Sequence, residues 1–177
     1  MRRLVITAIS LLACVLSYAQ GSVIIPQLDK AAGKRVCFHY EYSLSKDGGA
    51  FSKVTEGDVL VEDNAYSLDG LGLSIVCDGK TRWTYDPSAG EVVIESAEQD
   101  NILTNPALLI SSYRAYGSAL HVKGGSNDSL DVVYDVDDDV HARFVLKGIC
   151  YCEPEGKSDF SFDVKSLPKD SVVTDLR

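Results

Sequence analysis

The chain has 177 residues, 45% of them hydrophobic and 24% charged, and a formal net charge of −9. That is enough chain for one domain with a proper core, and the composition is that of an ordinary globular protein. The acidity repels phosphate backbones and anionic headgroups, which excludes nucleic acid as a partner and argues against adhesion to membranes through charge.

Residues 1–19 read as a signal peptide. Arg2 and Arg3 precede an apolar run from Leu4 to Leu16, and Ser17-Tyr18-Ala19 places small residues at the two positions a signal peptidase reads, so cleavage is expected before Gln20. The run is shorter than the roughly 20 residues that a bilayer-spanning helix needs. Leu11-Leu12-Ala13-Cys14 also resembles a lipobox that would acylate Cys14, but the apolar Val15, Leu16 and Tyr18 that follow favour the soluble form. Removal of the leader leaves 15 basic against 26 acidic side chains, a net charge of −11. Residues 20–177 are expected to form a single domain.

Residues 21–33 are expected to form a short amphipathic helix around Ile24, Ile25 and Leu28, closed by Gly33. Beyond it the chain alternates with period two between turn residues, the signature of short antiparallel strands. Val36, Phe38, Tyr40, Tyr42 and Leu44 share one face of the first strand, and Lys46-Asp47-Gly48-Gly49 turns it back. A second strand covers about 51–61, and Asp63-Asn64 turns it into 65–68. Asp69-Gly70 is expected to turn the chain again, into a strand carrying Leu71, Leu73, Ile75 and Cys77. Asp78-Gly79 leads to a strand at 81–85, and residues 86–90 reverse it into Val92-Val93-Ile94.

The alternation then lapses. Asn105 suits an N-cap and Pro106 the first turn of a helix, with Leu108, Leu109, Ser112 and Tyr113 on one side and Gly117 at the end. Strands are expected again at 130–136 and around Ala142, Phe144 and Leu146. Gly148 bends the chain before Ile149 and Tyr151, and further strands are expected at 160–164 and at Val172-Val173. The sum is about ten strands with one helix at the start and one helical insertion in the middle.

Little here suggests catalysis. His39, His121 and His141 have no metal-ligand spacing, no serine lies in a nucleophile elbow, and no glycine-rich loop opens a helix. Asp135, Asp137, Asp138 and Asp139 lack the ligand spacing of a calcium loop and read as a solvated hairpin tip. Glu41 and Glu56 are carboxylates without a placed partner. No enzyme activity, cofactor or metal is expected. Cys37, Cys77, Cys150 and Cys152 permit disulfides in an exported chain, in any of three pairings, although Cys150 and Cys152 share a strand face and are awkwardly placed for each other. Aromatic residues fill the strands, and periodicity cannot separate a filled barrel from a hollow one that holds an apolar ligand.

Val76-Cys77-Asp78-Gly79-Lys80-Thr81-Arg82-Trp83-Thr84-Tyr85-Asp86-Pro87 resembles the S-D-G-K-T-L-W-x-Y-N-P stretch of the LolA family of periplasmic lipoprotein carriers. Asn105-Pro106-Ala107-Leu108-Leu109-Ile110 is similar to that family's lid helix. Leu28-Asp29-Lys30 and Glu56-Gly57-Asp58-Val59-Leu60-Val61 match its opening helix and first hairpin, and Phe160-Ser161-Phe162 with Leu167-Pro168 its closing segment. The resemblance implies a mainly β (α+β) fold, an open, strongly curved antiparallel half-barrel with a helical lid. It also implies a periplasmic carrier for lipoprotein acyl chains or another apolar ligand, monomeric and served by inner- and outer-membrane sorting proteins. The implied ligand surface comprises Phe38, Tyr40, Tyr42, Leu73, Ile75, Trp83 and Tyr85 on the sheet and Leu108, Leu109 and Tyr113 on the lid. One departure stands out: Val61-Glu62-Asp63-Asn64 is acidic where the carriers have a basic residue. The alternative is an interaction or sensor module on the same fold, like the LolA-like domains of envelope-stress regulators.

Overall fold

The computed structural model describes residues 24–97 and 101–177. The expected leader with Cys14, the first residues of the expected opening helix, and residues 98–100 of the insertion lie outside the described residues.

Ten strands form one sheet: β1 (Arg35–Lys46), β2 (Ser52–Glu62), β3 (Ala65–Gly70), β4 (Leu73–Cys77), β5 (Thr81–Asp86), β6 (Glu91–Ser96), β7 (Leu120–Gly125), β8 (Ser129–Asp135), β9 (Val140–Cys152) and β10 (Val172–Asp175). Their spatial order is β10-β6-β5-β4-β3-β2-β1-β9-β8-β7. Every neighbouring pair is antiparallel except β10, which runs parallel to β6. Among the described residues β10 and β7 are the two edges, so the sheet is the open, mainly β half-barrel expected from the sequence.

The turns explain the pairing. Asp47 and Gly48 both sit at positive φ and make a tight turn, closed by the Gly49 amide on the Lys46 carbonyl, within the longer loop between β1 and β2, and Asp63 takes positive φ between β2 and β3. The next turn falls later than expected. Asp69 and Gly70 remain in β3, and the reversal is made by Leu71 and Gly72, at φ 55° and 75°, with the Leu71 side chain exposed. Gly70 stays in the strand because Tyr40 needs the space: a side chain there would stand 2.3 Å from the Tyr40 hydroxyl, and one at Gly57, directly opposite, would strike the Asp69 carbonyl.

Alternation sorts the side chains onto two faces. The inner face carries Val36, Phe38, Tyr40 and Tyr42 of β1, Val59 and Val61 of β2, Tyr66 and Leu68 of β3, and Leu130, Val132, Phe144 and Leu146 of β8 and β9. Tyr42 stacks on Phe144 with ring centroids 5.0 Å apart. Two irregular pieces close this core. The first is helix α1 (Pro26–Lys30), which is shorter than expected: it buries Ile25 and Leu28 but leaves Ile24 70% exposed. The second is the insertion 101–119, which contributes Ile102, Ala107, Leu109 and Tyr113.

The outer face is covered on one side only. After β9 the chain does not form the strand expected at 160–164. It runs as 3₁₀ turns at Lys157–Phe160 and Val164–Ser166, because Gly156 takes φ 85° and the Phe-x-Phe alternation serves to plant rings on the sheet rather than to pair backbone. This strap crosses the outer face, fully burying Phe160 and setting Phe162 against Tyr85 at 5.8 Å, before ending as β10 beside β6. That crossing is what makes β10 parallel. Strand β7 was not foreseen: of its residues only Leu120 is buried, so it carries no alternating apolar signal. Ile149 and Tyr151 belong to a continuous β9, bulged opposite β1 where Gly148 takes φ 63°.

Candidate functional site: two clefts beside a short lid

The insertion folds against the inner face as a lid. Asn105 is buried and its side-chain oxygen accepts the Ala107 amide at 3.0 Å, which starts a turn, but the helix itself begins later than expected, with Ala107 rather than Asn105 at its N-cap. The α-helix that follows, α2 (Leu108–Ser111), is only one turn long, since Ser112 at φ −143° breaks it, and 3₁₀ turns within Tyr113–Ala119, kinked at Gly117 (φ 49°), continue to β7. A single turn gains almost nothing from its own hydrogen bonds. The lid is therefore held by what it touches: the buried Ile102, Ala107 and Leu109, and a latch at its far end. There the Tyr113 hydroxyl donates to Asp29 of α1 at 2.5 Å, and Arg114 binds the same carboxylate. The Tyr113 hydrogen bond is the main reason the Asp29 carboxyl titrates below its ordinary range, with Arg114 adding to it.

Two clefts flank this lid. One, of about 620 Å³, lies between α1, the β2–β3 turn and the lid, with Asp29, Lys34, Asp63 and Arg114 giving it a charged rim. The other, of about 590 Å³, lies between the lid and the sheet; Val61, Tyr66, Cys77, Ala97 and Leu108 form its apolar wall, and Lys80 stands at its edge. Both volumes fall within the range typical of small-molecule sites. Asp63, Asn64, Ser111 and Ser112 line both clefts, so the single turn of α2 and the β2–β3 turn form the partition between them. Burial pushes the Tyr66 hydroxyl well above its usual range, so it stays neutral in the second cleft.

The residues expected to share one ligand surface are divided by the structure. Leu108 lines the second cleft and Tyr113 the first, while Leu109 is fully buried between them. Leu73 and Ile75 lie on the inner face, partly buried. Phe38, Tyr40 and Tyr42 also point inward, but they are closed into the core, at most 8% exposed, and line neither cleft. Trp83 and Tyr85 are on the other side of the sheet. Cys77 pairs with Arg82 and Ile75 with Thr84, so Trp83 opposes Val76 and faces outward, where Tyr85 meets the strap. Sequence periodicity finds the faces of each strand but not the phase between strands, which the turn at 78–80 sets. Tyr66, Val61, Ala97 and Asp29 were missed. Tyr66 and Val61 belong to β3 and β2, while Ala97 follows the end of β6, and the cleft itself arises only from the place where α2 rests.

The acidic departure at Glu62 also has its explanation. Glu62 faces outward, away from the lid, and is buried against Arg35 at 2.9 Å. Its carboxylate also accepts the amides of Glu155 and Gly156 at 3.0 and 3.1 Å. Burial alone would raise its pKa, but the Arg35 hydrogen bond and these two amides outweigh that and hold it ionised, below its ordinary value. Arg35 further binds Asp159 at 2.7 Å, Glu155 at 3.1 Å and the Gly156 carbonyl at 2.7 Å, with the Phe160 ring beneath it.

The three histidines and Glu41 sit in surface pairs. His39 contacts Asp58 and Glu56, Glu41 pairs with Lys147, and His121 and His141 share the two oxygens of Asp135 at 2.6 and 2.8 Å. Asp137 accepts the amides of Asp139 and Val140, the local hydrogen bonding of a hairpin tip. Among the described residues no three His, Cys, Asp or Glu side chains come together as a metal would require.

No protein-family model matches the sequence, and no curated protein does either. Among solved structures the chain is similar to a LolA superfamily protein from Nitrosomonas europaea, at 9% identity, covering 77% of this chain and 96% of that one, with a TM-score of 0.47. A likeness that loose adds nothing to what the clefts and the motif around Trp83 already provide.

Proposed function

We propose that this protein is a LolA-like binding protein or carrier for acyl chains, of a lipoprotein or of another lipid-like ligand, working in the periplasm after export. The observation that carries the reading is the partition: one turn of helix, tethered by a surface latch, separates an apolar cleft from a second cleft with a charged rim. An acyl chain costs about 0.8 kcal/mol per CH₂ exposed to water, so a carrier must bury it, and the apolar wall beside the lid offers that shelter. Leu108 then supplies apolar contact to the chain, Leu109 anchors the lid, and Tyr113 with Asp29 holds it shut. Leu73 and Ile75 extend the apolar surface if the lid withdraws. The sorting proteins that would load and unload such a carrier are part of the same proposal.

A second reading, an envelope interaction or sensor module, is favoured by one observation: Phe38, Tyr40 and Tyr42 fill the middle of the inner face, which a hollow carrier would leave open. Native mass spectrometry of the protein purified from an envelope fraction, followed by solvent extraction, separates the two. A co-purifying acylated species supports the carrier. An empty protein that also ignores added fatty acid rejects it in favour of the interaction module.

A further inference from the structure

Three of the four cysteines beyond residue 20 meet on the outer face of the two longest strands. Cys37 of β1 stands directly opposite Cys150 of β9, and Cys152 lies two residues further along the same face, opposite Arg35. Cys150 and Cys152 are exposed and Cys37 is half-buried, so an oxidant reaches the group from solvent. Cys77 cannot join them, because it points inward from β4, three strands away. We infer that Cys37 and Cys150 form a disulfide that staples β1 to β9, with Cys152 left as a thiol.

Geometry chooses this pairing among those the sequence left open. Residues directly opposite in an antiparallel pair have Cα atoms about 4.5–5.5 Å apart, inside the window a disulfide spans. The diagonal partner, Cys152, is about 7–8 Å from Cys37, too far for a bond without backbone movement. Cys150 and Cys152 point the same way from one strand and cannot close on each other. Burial, with Cys150 beside it, pushes the Cys37 thiol above its ordinary pKa. The exposed Cys150 therefore meets the oxidant first.

The chemistry is a thiol–disulfide exchange with a protein or glutathione disulfide. The Cys150 thiolate attacks one sulfur of that disulfide and displaces the other as a thiol. Cys37 then attacks the Cys150 sulfur, forms the internal bond and displaces the second thiol. The two protons from the cysteines end on the two leaving thiols, and the oxidant is reduced by the two electrons the cysteines lose. That such an oxidant is met in the cell rests on the export reading above; the pairing itself rests on the strand register alone.

The test is to express the full chain, purify the protein, treat it with oxidised glutathione, block remaining thiols, and map the peptides by mass spectrometry. The expected product is a Cys37–Cys150 link, lighter by two hydrogen atoms, with Cys152 and Cys77 alkylated. Reductant should then lower Tm by about 5–10 °C. That sensitivity should vanish in Cys37→Ser and Cys150→Ser but persist in Cys152→Ser. A link through Cys152, or failure of oxidised glutathione to join Cys37 and Cys150, overturns the inference. Protein that leaves the cell fraction reduced yet forms this link in vitro supports the site and counts against export instead.

Discussion

Two tethers hold irregular chain to this sheet, one on each face, and they are built differently. On the outer face, Arg35 and Glu62 bind each other and five groups of the strap, with both side chains at most 7% exposed. On the inner side, the lid is latched by one carboxylate, Asp29, whose partner Arg114 is 66% exposed. A buried, hydrogen-bonded charge pair is costly to break, because either partner left alone is stranded out of water. A solvent-exposed pair contributes little and is replaced by water when it opens. The contrast makes the buried pair under the strap the costlier tether to break and the Asp29–Arg114 pair the cheaper one.

The largest expected effect breaks the costlier tether. Arg35→Met leaves Glu62 buried without its cation and should lower Tm on the order of 10 °C, with hydrogen exchange rising first in residues 153–163. Loss of stability without selective exposure of the strap would mean that the pair supports the sheet rather than the tether. Next, Leu108→Glu places a charge on the apolar wall of the second cleft. It should weaken binding of a fatty-acid probe about tenfold while Tm stays within a few degrees, since Leu108 is only partly buried.

Smaller effects sharpen the lid side. Tyr113→Phe removes the hydrogen bond to Asp29 and should lower Tm by about 2–4 °C, with faster probe dissociation. The latch should also respond to acid. Because Asp29 titrates below 3.8 in the folded protein, its contribution is complete above that pH and is lost as the pH falls through the lowered value. Probe release measured on acidification should accelerate only below about pH 3.8, and Asp29→Asn should abolish the acceleration.

The difference between the tethers also marks what could be read from the sequence. The strands of β1 to β6 followed from alternation and their turns from Asp, Asn and Gly, except the β3–β4 turn, which Leu71 and Gly72 make in place of Asp69 and Gly70; the buried faces of β1 and β8 followed as well. The edge strand β7 did not, because an edge exposes most of its side chains and loses the pattern. The strap imitated a strand, as Phe160 and Phe162 alternate whether they line a sheet or lie across one. For the site, the lid was legible in Asn105, Pro106 and Leu109. The side on which Trp83 and Tyr85 stand was not, since a one-residue change of phase at 78–80 exchanges the faces of β5 without altering its composition. Asp29 and Arg35 find their partners only through tertiary contacts across 84 and 27 residues or more, which local pattern does not encode.

The most direct measurement is a titration of the purified protein with a fluorescent fatty-acid probe, run in parallel on Leu108→Glu. Saturable binding at one stoichiometric site in the parent, weakened about tenfold in the variant, is the predicted result. Absent binding in the parent, or equal affinity in a well-folded Leu108→Glu, would contradict an acyl-chain site between the lid and the sheet.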